Sequence, residues 1–410
     1  MKPPFTPKLP RFKRLETRTR RLHPTVCGDL TDRYRKTPMS CDQYPSASAP
    51  KDAEHITVYY DSDYFAGWPF NHGFKAFSHD ELLISFSRGR CDYSARHDLG
   101  HHVVDARGGE YVTLRSTDGG RTWPRENLRS LGSRQDIERP LYQQPPASPA
   151  EPCDWTSPDF FLTAGFGIPP DRDQDMGYIQ YSRDRGRTWE GPYRMPTFGF
   201  AWVQVKPDYI VRPDGVVLLF VTAGLGDGAA SNRIVAVCAS PDAGLSWHYL
   251  SAIMATSPDA RFTKRYYASP VLLDDGRILV ALRCQMDARN AWPEIFESDD
   301  GGRSWRFRSR VSDWGGPTDL TLLDDGRLLA VYGYRVPPYG IRARLSEDDG
   351  ATWGPELILR DDGGSWDLGY PRTALLAGGK VISAYYFNRA DDEIQLDGGV
   401  RHIAATLFTP

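Results

Sequence analysis

A closed all-β propeller of four-stranded antiparallel blades is the fold class this sequence predicts, on three observations. The motif S-x-D-x-G-x-[TS]-W occurs five times, beginning at Ser116, Ser182, Ser240, Ser298 and Ser346. Between its copies runs a second pattern, two apolar β-rich segments joined by a tight D-G or G-G turn. Long amphipathic helical stretches are missing, while Trp, Tyr, Gly and Pro are frequent. The boxes lie 66, 58, 58 and 48 residues apart, a period that indicates a propeller or a solenoid with loops of varied length.

Each box has its own physical logic. The aspartate (Asp118 in the first copy) can cap backbone N–H groups within its turn, and Gly120 supplies a positive φ. The Ser and Thr hydroxyls add local hydrogen bonds, and Trp123 plugs the turn onto the neighbouring sheet. The hairpins read DYIVRPDGVVLLFV, SPVLLDDGRILVAL, DLTLLDDGRLLAVY and RTALLAGGKVISAYYF, with a less regular GFKAFSHDELLISF before the first box. A blade is therefore an inner strand, a DG turn, a second strand, a long loop, a third strand, a box and a fourth strand. Six units are counted, the second (DFFLTAGFG to SRDRGRTW) being the most distorted. The last unit has no box, and its final strand RHIAATLF is expected to share a blade with the early strand HITVYY. Such closure removes exposed sheet edges.

The propeller is expected to fill residues 54–410 as one domain, a common length for this class. Residues 1–53 read as a basic, Pro-rich arm without an apolar core segment, so they are not a signal peptide as written. The compartment stays open: secreted or periplasmic if a natural leader is missing. A formal charge of −3 argues against a nucleic-acid or membrane-surface role driven by bulk charge, and no run of eighteen apolar residues exists. A monomer is compatible with the composition, which does not fix the oligomeric state. Cys238 and Cys284 lie in strand-like runs and read as buried thiols. Cys27–Cys41 or Cys91–Cys153 bridges are conceivable, but spacing alone does not establish them.

Strand alternation yields a functional deduction. The DG turns and the boxes must project from one face. The segments leading into each inner strand and out of each second strand then emerge together on the other face, around the axis. Leading in are His72, Gln204, Arg265, Tyr266, Tyr370 and Arg372; leading out are Arg88, Arg283 and Arg335. A mildly acidic chain thus aims arginines, tyrosines and one histidine at one mouth. Arginine's planar fork suits carboxylates, and tyrosine rings suit sugar faces and hydroxyls, so an acidic glycan is the expected partner.

With these boxes the chain resembles the Asp-box (BNR-repeat) sialidase-like superfamily over residues 55–410. A sialidase of this kind would carry an arginine triad, a Tyr nucleophile with a Glu partner and an Asp acid. The R-I-P type motif that normally bears the first arginine is absent; only ERP at Glu138–Pro140 approaches it. The chain is more similar to propeller enzymes that remove terminal rhamnose from glucuronate in plant arabinogalactans, described as rhamnosidases or rhamnose–glucuronate lyases. FNHGFKAF with ELLISFSRG, the HH-x-x-D segment at His101–Asp105, and WDLGYPRTALLAGGKVISAYYF carry that likeness. It implies seven blades where six are counted, the seventh falling in 125–160 or before His72. It also implies a catalytic histidine near His72.

Lytic cleavage of a 4-linked uronate needs a cation on the carboxylate, a base for the C5 proton and an acid for the leaving oxygen. His72 is the principal acid/base candidate, with Tyr370 and Tyr266 beside it. Arg265, Arg283 or Arg335 would hold the carboxylate; Arg88, Arg372, Gln204, His101 and His102 complete the expected substrate contacts. His97, His101 and His102 have an H-x₃-H spacing, yet Gly100 interrupts the segment and no HExxH glutamate follows, so a substrate-lining loop is preferred to a metal site. No cofactor fingerprint is present, and a structural Ca²⁺ would have no signature here. An exo-sialidase and a non-catalytic glycan-binding propeller are the alternatives.

Overall fold

A computed structural model describes residues 47–94, 109–133, 136–137, 141, 147–167, 176–224, 233–253, 264–286 and 290–410. Residues 45–410 form one compact unit. Six antiparallel sheets follow one another along the chain and make a β-propeller.

Blade 1 contains β2 (Tyr64–Gly67), β3 (Phe74–Ala76), β4 (Leu82–Arg90), β5 (Glu110–Ser116) and β6 (Arg129–Ser133). Both β2 and β3 pair with β4, so its innermost strand is one line broken by the short helix α1 (Pro69–His72). Blade 2 has β7 (Phe161–Gly167), β8 (Met176–Ser182) and β9 (Glu190–Arg194). Its box follows β8, so by comparison with the other blades the innermost strand is missing among the described residues. This is the unit whose sequence pattern is most distorted. Blades 3, 4 and 5 are regular: β10 (Trp202–Val211), β11 (Val217–Gly224), β12 (Arg233–Ser240) and β13 (His248–Ile253); β14 (Lys264–Leu272), β15 (Ile278–Gln285), β16 (Ala291–Ser298) and β17 (Arg306–Arg310); and β18 (Thr318–Leu322), β19 (Leu328–Tyr334), β20 (Gly340–Ser346) and β21 (Leu357–Arg360), each in order. In blade 6, β1 (Glu54–Tyr59) pairs with β24 (His402–Phe408), followed inward by β23 (Val381–Phe387) and β22 (Gly369–Leu375), so the expected ring closure is present. The unit also takes in residues that the sequence assigns to the arm: Ser48 bridges to Leu357, and Thr409 donates to Asp52.

The boxes form as their residues dictate. In the first, Ser116 Oγ donates to Asp118 at 2.8 Å and the Gly120 N–H donates to Ser116 at 3.0 Å. The Thr122 N–H and hydroxyl both donate to Asp118, at 2.9 and 2.6 Å. The same Ser–Asp bond, at 2.7–2.8 Å, recurs in the other four. The box glycine is needed for more than its positive φ. A Cβ at Gly120 would lie 2.5 Å from Ile382 of blade 6, and one at Gly186 would lie 2.4 Å from Leu83 of blade 1. Gly302 rests likewise on Leu218 of blade 3. Each of these turns seats its blade on the preceding one, and apolar clusters pack neighbouring blades together.

Register fixes the two faces. In blade 4, Ile278 just after the DG turn is opposite Ser298 at the start of the box, whereas Gln285 is opposite both Ala291 and Lys264. DG turns and boxes therefore share one face, and the ends carrying Tyr266 and Arg283 share the other. Cys91, Cys153, Cys238 and Cys284 are buried free thiols, which removes the Cys91–Cys153 bridge; Cys27 and Cys41 lie outside the described residues.

Candidate functional site

The inner strands are irregular where they approach the axis. β14 (Lys264–Leu272) shifts register between Tyr266 and Ala268, and β22 (Gly369–Leu375) between Gly369 and Arg372. β10 (Trp202–Val211) shifts between Val205 and Tyr209. Tyr267, Tyr370 and Trp68 adopt φ of 59°, 54° and 61°, a left-handed conformation unusual for bulky side chains. Bulges re-aim side chains, and strained residues gather at functional sites. Here they turn aromatic rings inward. Tyr266 and Tyr267 pack at 4.4 Å between ring centres, Tyr267 and Tyr370 at 5.4 Å, and Tyr370 and Tyr386 at 5.7 Å.

Two arginines stand over this wall. The Arg283 guanidinium lies 5.2 Å from the Tyr266 ring, and that of Arg335 lies 5.4 Å from the Tyr370 ring. Both line a cavity of about 580 Å³, with Trp314, Tyr339 and Trp366 on its walls. Arg335 is aimed by its surroundings. Its Nε and Nη2 donate to the Leu368 carbonyl at 3.0 and 2.8 Å, and Nη2 also donates to the Tyr386 hydroxyl. Tyr386 in turn donates to Asp367 at 2.5 Å, whose other oxygen meets Arg401. Arg283 is different. It is only 6% exposed, yet among the described residues it has no ion pair and no hydrogen bond. A buried cation without a counter-charge is costly unless a ligand supplies one.

Burial pushes the Tyr266 phenol above its ordinary pKa, with the Arg283 charge pulling the other way. Tyr267 is raised further by burial and by its tyrosine neighbours. Both are neutral hydrogen-bond donors near neutral pH. The Tyr266 hydroxyl donates to Gln285, and that of Tyr370 meets that of Tyr267 at 3.4 Å.

The structure thus brings together Tyr266, Tyr370, Arg283 and Arg335 from the residues the sequence singles out. The others are placed elsewhere. His72 is buried between blades 1 and 2, its Nδ1 3.0 Å from the Ala164 carbonyl and its Nε2 2.7 Å from the Ser87 hydroxyl, with Tyr111 against the ring. It does not line the cavity; nor do Tyr266 and Tyr370, but their rings lie against the guanidinium groups that do. Arg265 turns into blade 4, where it pairs with buried Glu294. Arg88 pairs with Glu110 and bonds Tyr59. Gln204 lies buried on β10, opposite Thr222. His101 and His102 lie outside the described residues.

Arg372 sits lower on the axis as a staple. It donates to the Phe70 carbonyl of blade 1 and pairs with Asp208 of blade 3 and Asp319 of blade 5. Burial raises the Asp208 carboxyl to about 6 despite Arg372, and raises Asp319 in the same sense. Among the described residues no group of three or more His, Cys, Asp or Glu is placed to hold a metal.

Sequence reasoning missed Trp68, Trp366, Asp208 and Asp319. Proline was the available signal: Pro207 and Pro371 fall inside inner strands, where proline marks a bulge. Asp208 falls within the first of those bulges, whereas Asp319 lies on a strand of regular register.

A propeller with an arginine-lined cavity backed by a cluster of buried tyrosines is the class that fold and site define. The chain belongs to the BNR repeat-like domain family, which matches residues 160–382. Over 209 residues it is 28% identical to a sialidase of Micromonospora viridifaciens, covering 44% of this chain and 31% of that protein. The chain thus matches about a third of that relative's length. Among solved structures it is similar to a Dyadobacter fermentans protein of unknown function, at TM-score 0.66 and 25% identity, covering 86% of this chain and 97% of that one. It also shares its fold with a Penicillium chrysogenum α-L-arabinanase bound to arabinobiose, at TM-score 0.56 and 13% identity, over 89% and 99% of the two chains.

Proposed function

We propose that this protein is a carbohydrate-active enzyme that removes a terminal sugar from an acidic glycan. The observation that carries this reading is Arg283, a buried guanidinium without an anion among the described residues, beside Arg335 at one cavity. A uronate or sialate carboxylate is a matching counter-charge. The relatives named for sialidase and arabinanase activity support a glycan substrate.

Within that reading the favoured reaction is eliminative release of L-rhamnose from rhamnosyl-α-1,4-glucuronate. The two arginines neutralise the carboxylate and so make the C5 proton acidic. Tyr370, acting as its phenolate, accepts that proton and becomes the phenol, and the C5–H electron pair becomes the C4=C5 double bond. The C4–O bond breaks, and the Tyr266 hydroxyl, kept protonated by burial, gives its proton to the departing rhamnose oxygen. No water is consumed, and a proton returned from Tyr370 to Tyr266 through solvent resets the pair. His72 acts here as a positioning residue that fixes α1 between two blades.

Hydrolysis by a sialidase-type exo-glycosidase is the second reading, favoured by the aligned sialidase. It requires a carboxylate at the cavity, and none lines it among the described residues; Asp367 is held by Tyr386 and Arg401. Incubation with gum arabic, following free rhamnose and unsaturated-uronate absorbance together, tests the choice. Rhamnose with rising absorbance, lost in Arg283→Ala, is the expected result. Rhamnose without absorbance means hydrolysis. Neither signal, with sialic acid freed from sialosides, replaces the lyase with a sialidase; glycan binding without turnover makes the protein a lectin.

A further inference from the structure

Tryptophan is seldom left in water on a rigid loop without use, because its large apolar ring gains most from burial. Among the described residues only four large apolar side chains are exposed: Tyr249, Met286, Trp314 and Trp366. Trp314 and Trp366, 38% and 49% exposed, both line the cavity that holds Arg283 and Arg335. Met286 directly follows β15 (Ile278–Gln285), the strand that carries Arg283.

Both indoles are presented by anchored backbone. Trp366 is flanked by two bonds from one fully buried side chain: the Ser365 N–H donates to Asn388 Oδ1 at 2.7 Å, and Asn388 Nδ2 donates to the Asp367 carbonyl at 2.7 Å. After Trp314, the Gly315 N–H donates to the Ala291 carbonyl at 2.9 Å and the Gly316 N–H to the Gly333 carbonyl at 3.2 Å. Those two glycines have φ of 140° and 117°. A Cβ on Gly315 would lie 2.6 Å from the Tyr332 ring, and one on Gly316 3.0 Å from the Arg283 side chain. The loop therefore lies flat on Tyr332 and Arg283 and holds Trp314 at the opening. On the other wall the Arg335 guanidinium is 5.5 Å from the Trp366 ring.

We propose that Trp314 and Trp366 form a stacking subsite for a neutral sugar ring, lying outward of the acidic sugar that the arginines hold. The inference rests on the acidic-glycan reading and extends it, making the substrate an oligosaccharide recognised on both sides of the uronate. Pyranose rings offer one apolar C–H face, and an indole fits that face without needing a charge. The cationic inner end and the aromatic outer end of one cavity divide recognition between an acidic and a neutral residue. The cavity volume is within the usual range for ligand sites, about 300–1,000 Å³.

Calorimetric titration of the full chain with D-glucuronate and with the disaccharide glucuronyl-galactose tests this, because neither carries a rhamnose to lose. Wild type should bind the disaccharide about 3- to 10-fold more tightly than the monosaccharide, the usual worth of one aromatic contact. Trp366→Ala and Trp314→Ala should each reduce that gain while leaving glucuronate affinity unchanged. Trp366→Phe should keep most of it, and unchanged melting would confirm intact folding. Equal affinity for the two sugars in wild type, or a gain that survives both alanine variants, overturns the subsite and leaves the acidic-sugar reading standing. Failure of wild type to bind either sugar overturns that reading, and the subsite with it.

Discussion

On the face that carries the boxes, Ser, Asp and Thr find their partners within their own turn. At the opposite end of the same strands a buried guanidinium has no anion among the described residues, two indoles stand in solvent, and three aromatic residues hold left-handed backbone. The first region is locally consistent, and its repeated sequence is a repeated structural solution. The second violates several local preferences at once. Such violations persist where function maintains them, so the contrast separates what holds the ring together from what acts on a ligand.

The largest expected effect breaks the contrast from the mouth. Arg283→Ala should lower kcat/KM on the acidic glycan about 10²–10³-fold, in line with loss of a preorganised charge-stabilising donor. Its melting temperature should hold or rise, because the substitution removes a buried charge that no described residue neutralises. A large drop in melting temperature would mean that Arg283 belongs with the structural residues. Next comes His72→Ala, which orphans the Ala164 carbonyl and the Ser87 hydroxyl and opens a gap beside Tyr111. About 2–3 kcal/mol of stability should be lost in urea unfolding. Because His72 does not line the cavity, kcat of the folded fraction should change far less than in the arginine variant. A kcat loss as large as that of Arg283→Ala, at full stability, would return His72 to the catalytic role that the family resemblance implies.

The unequal legibility of the two regions has a physical basis. Box and hairpin carry their own hydrogen bonds, so Asp118 or Gly276 announces its conformation from a few neighbours, and the six-blade ring follows. Arg283 and Arg335 line the cavity at the ends of regular second strands, where alternation is dependable. Arg265 and Arg372 lie away from it, where bulges at Tyr267 and around Pro371 reset the alternation that assigns faces. His72 ends a helical turn rather than beginning a strand, which a period-2 reading does not anticipate. Trp366 is a single tryptophan in a loop, and nothing beside it in the sequence shows that Asn388, more than twenty residues on, holds it in place.

Acid titration adds to the contrast, since the aspartates held by Arg372 on the axis and those of the boxes carry opposite signs. Burial holds the Asp208 carboxyl at about 6 in the folded chain against 3.8 ordinarily, so the native state takes up a proton more readily than the unfolded one. Stability from this group is present below about pH 4 and is lost as pH rises towards 6; Asp319 acts in the same direction. Asp208→Asn should therefore flatten a decline of order 1–2 kcal/mol between pH 4 and 7 in unfolding free energy. A decline of unchanged size in the variant would assign it to other groups.

The box aspartates run the other way. Burial alone would raise Asp300, but the hydrogen bonds from Ser304, Ser298 and the Arg303 N–H outweigh it and bring the carboxyl down to about 2; Asp184 reaches the same value for the same reason. A depressed carboxyl stabilises the fold fully above its unfolded value near 4 and ceases to do so as pH falls towards 2. These groups are largely solvated, so screening keeps each contribution small. Asp300→Ala should cost about 1 kcal/mol at pH 7, the ordinary worth of a lost cap, and almost nothing at pH 2. Its turnover should equal that of wild type at any pH where both are folded, because the substitution lies at the far end of the strands from Arg283. A turnover loss in Asp300→Ala that tracked its stability loss would mean that box and mouth are mechanically coupled, and that the division drawn between the two faces holds for their chemistry but not for their motion.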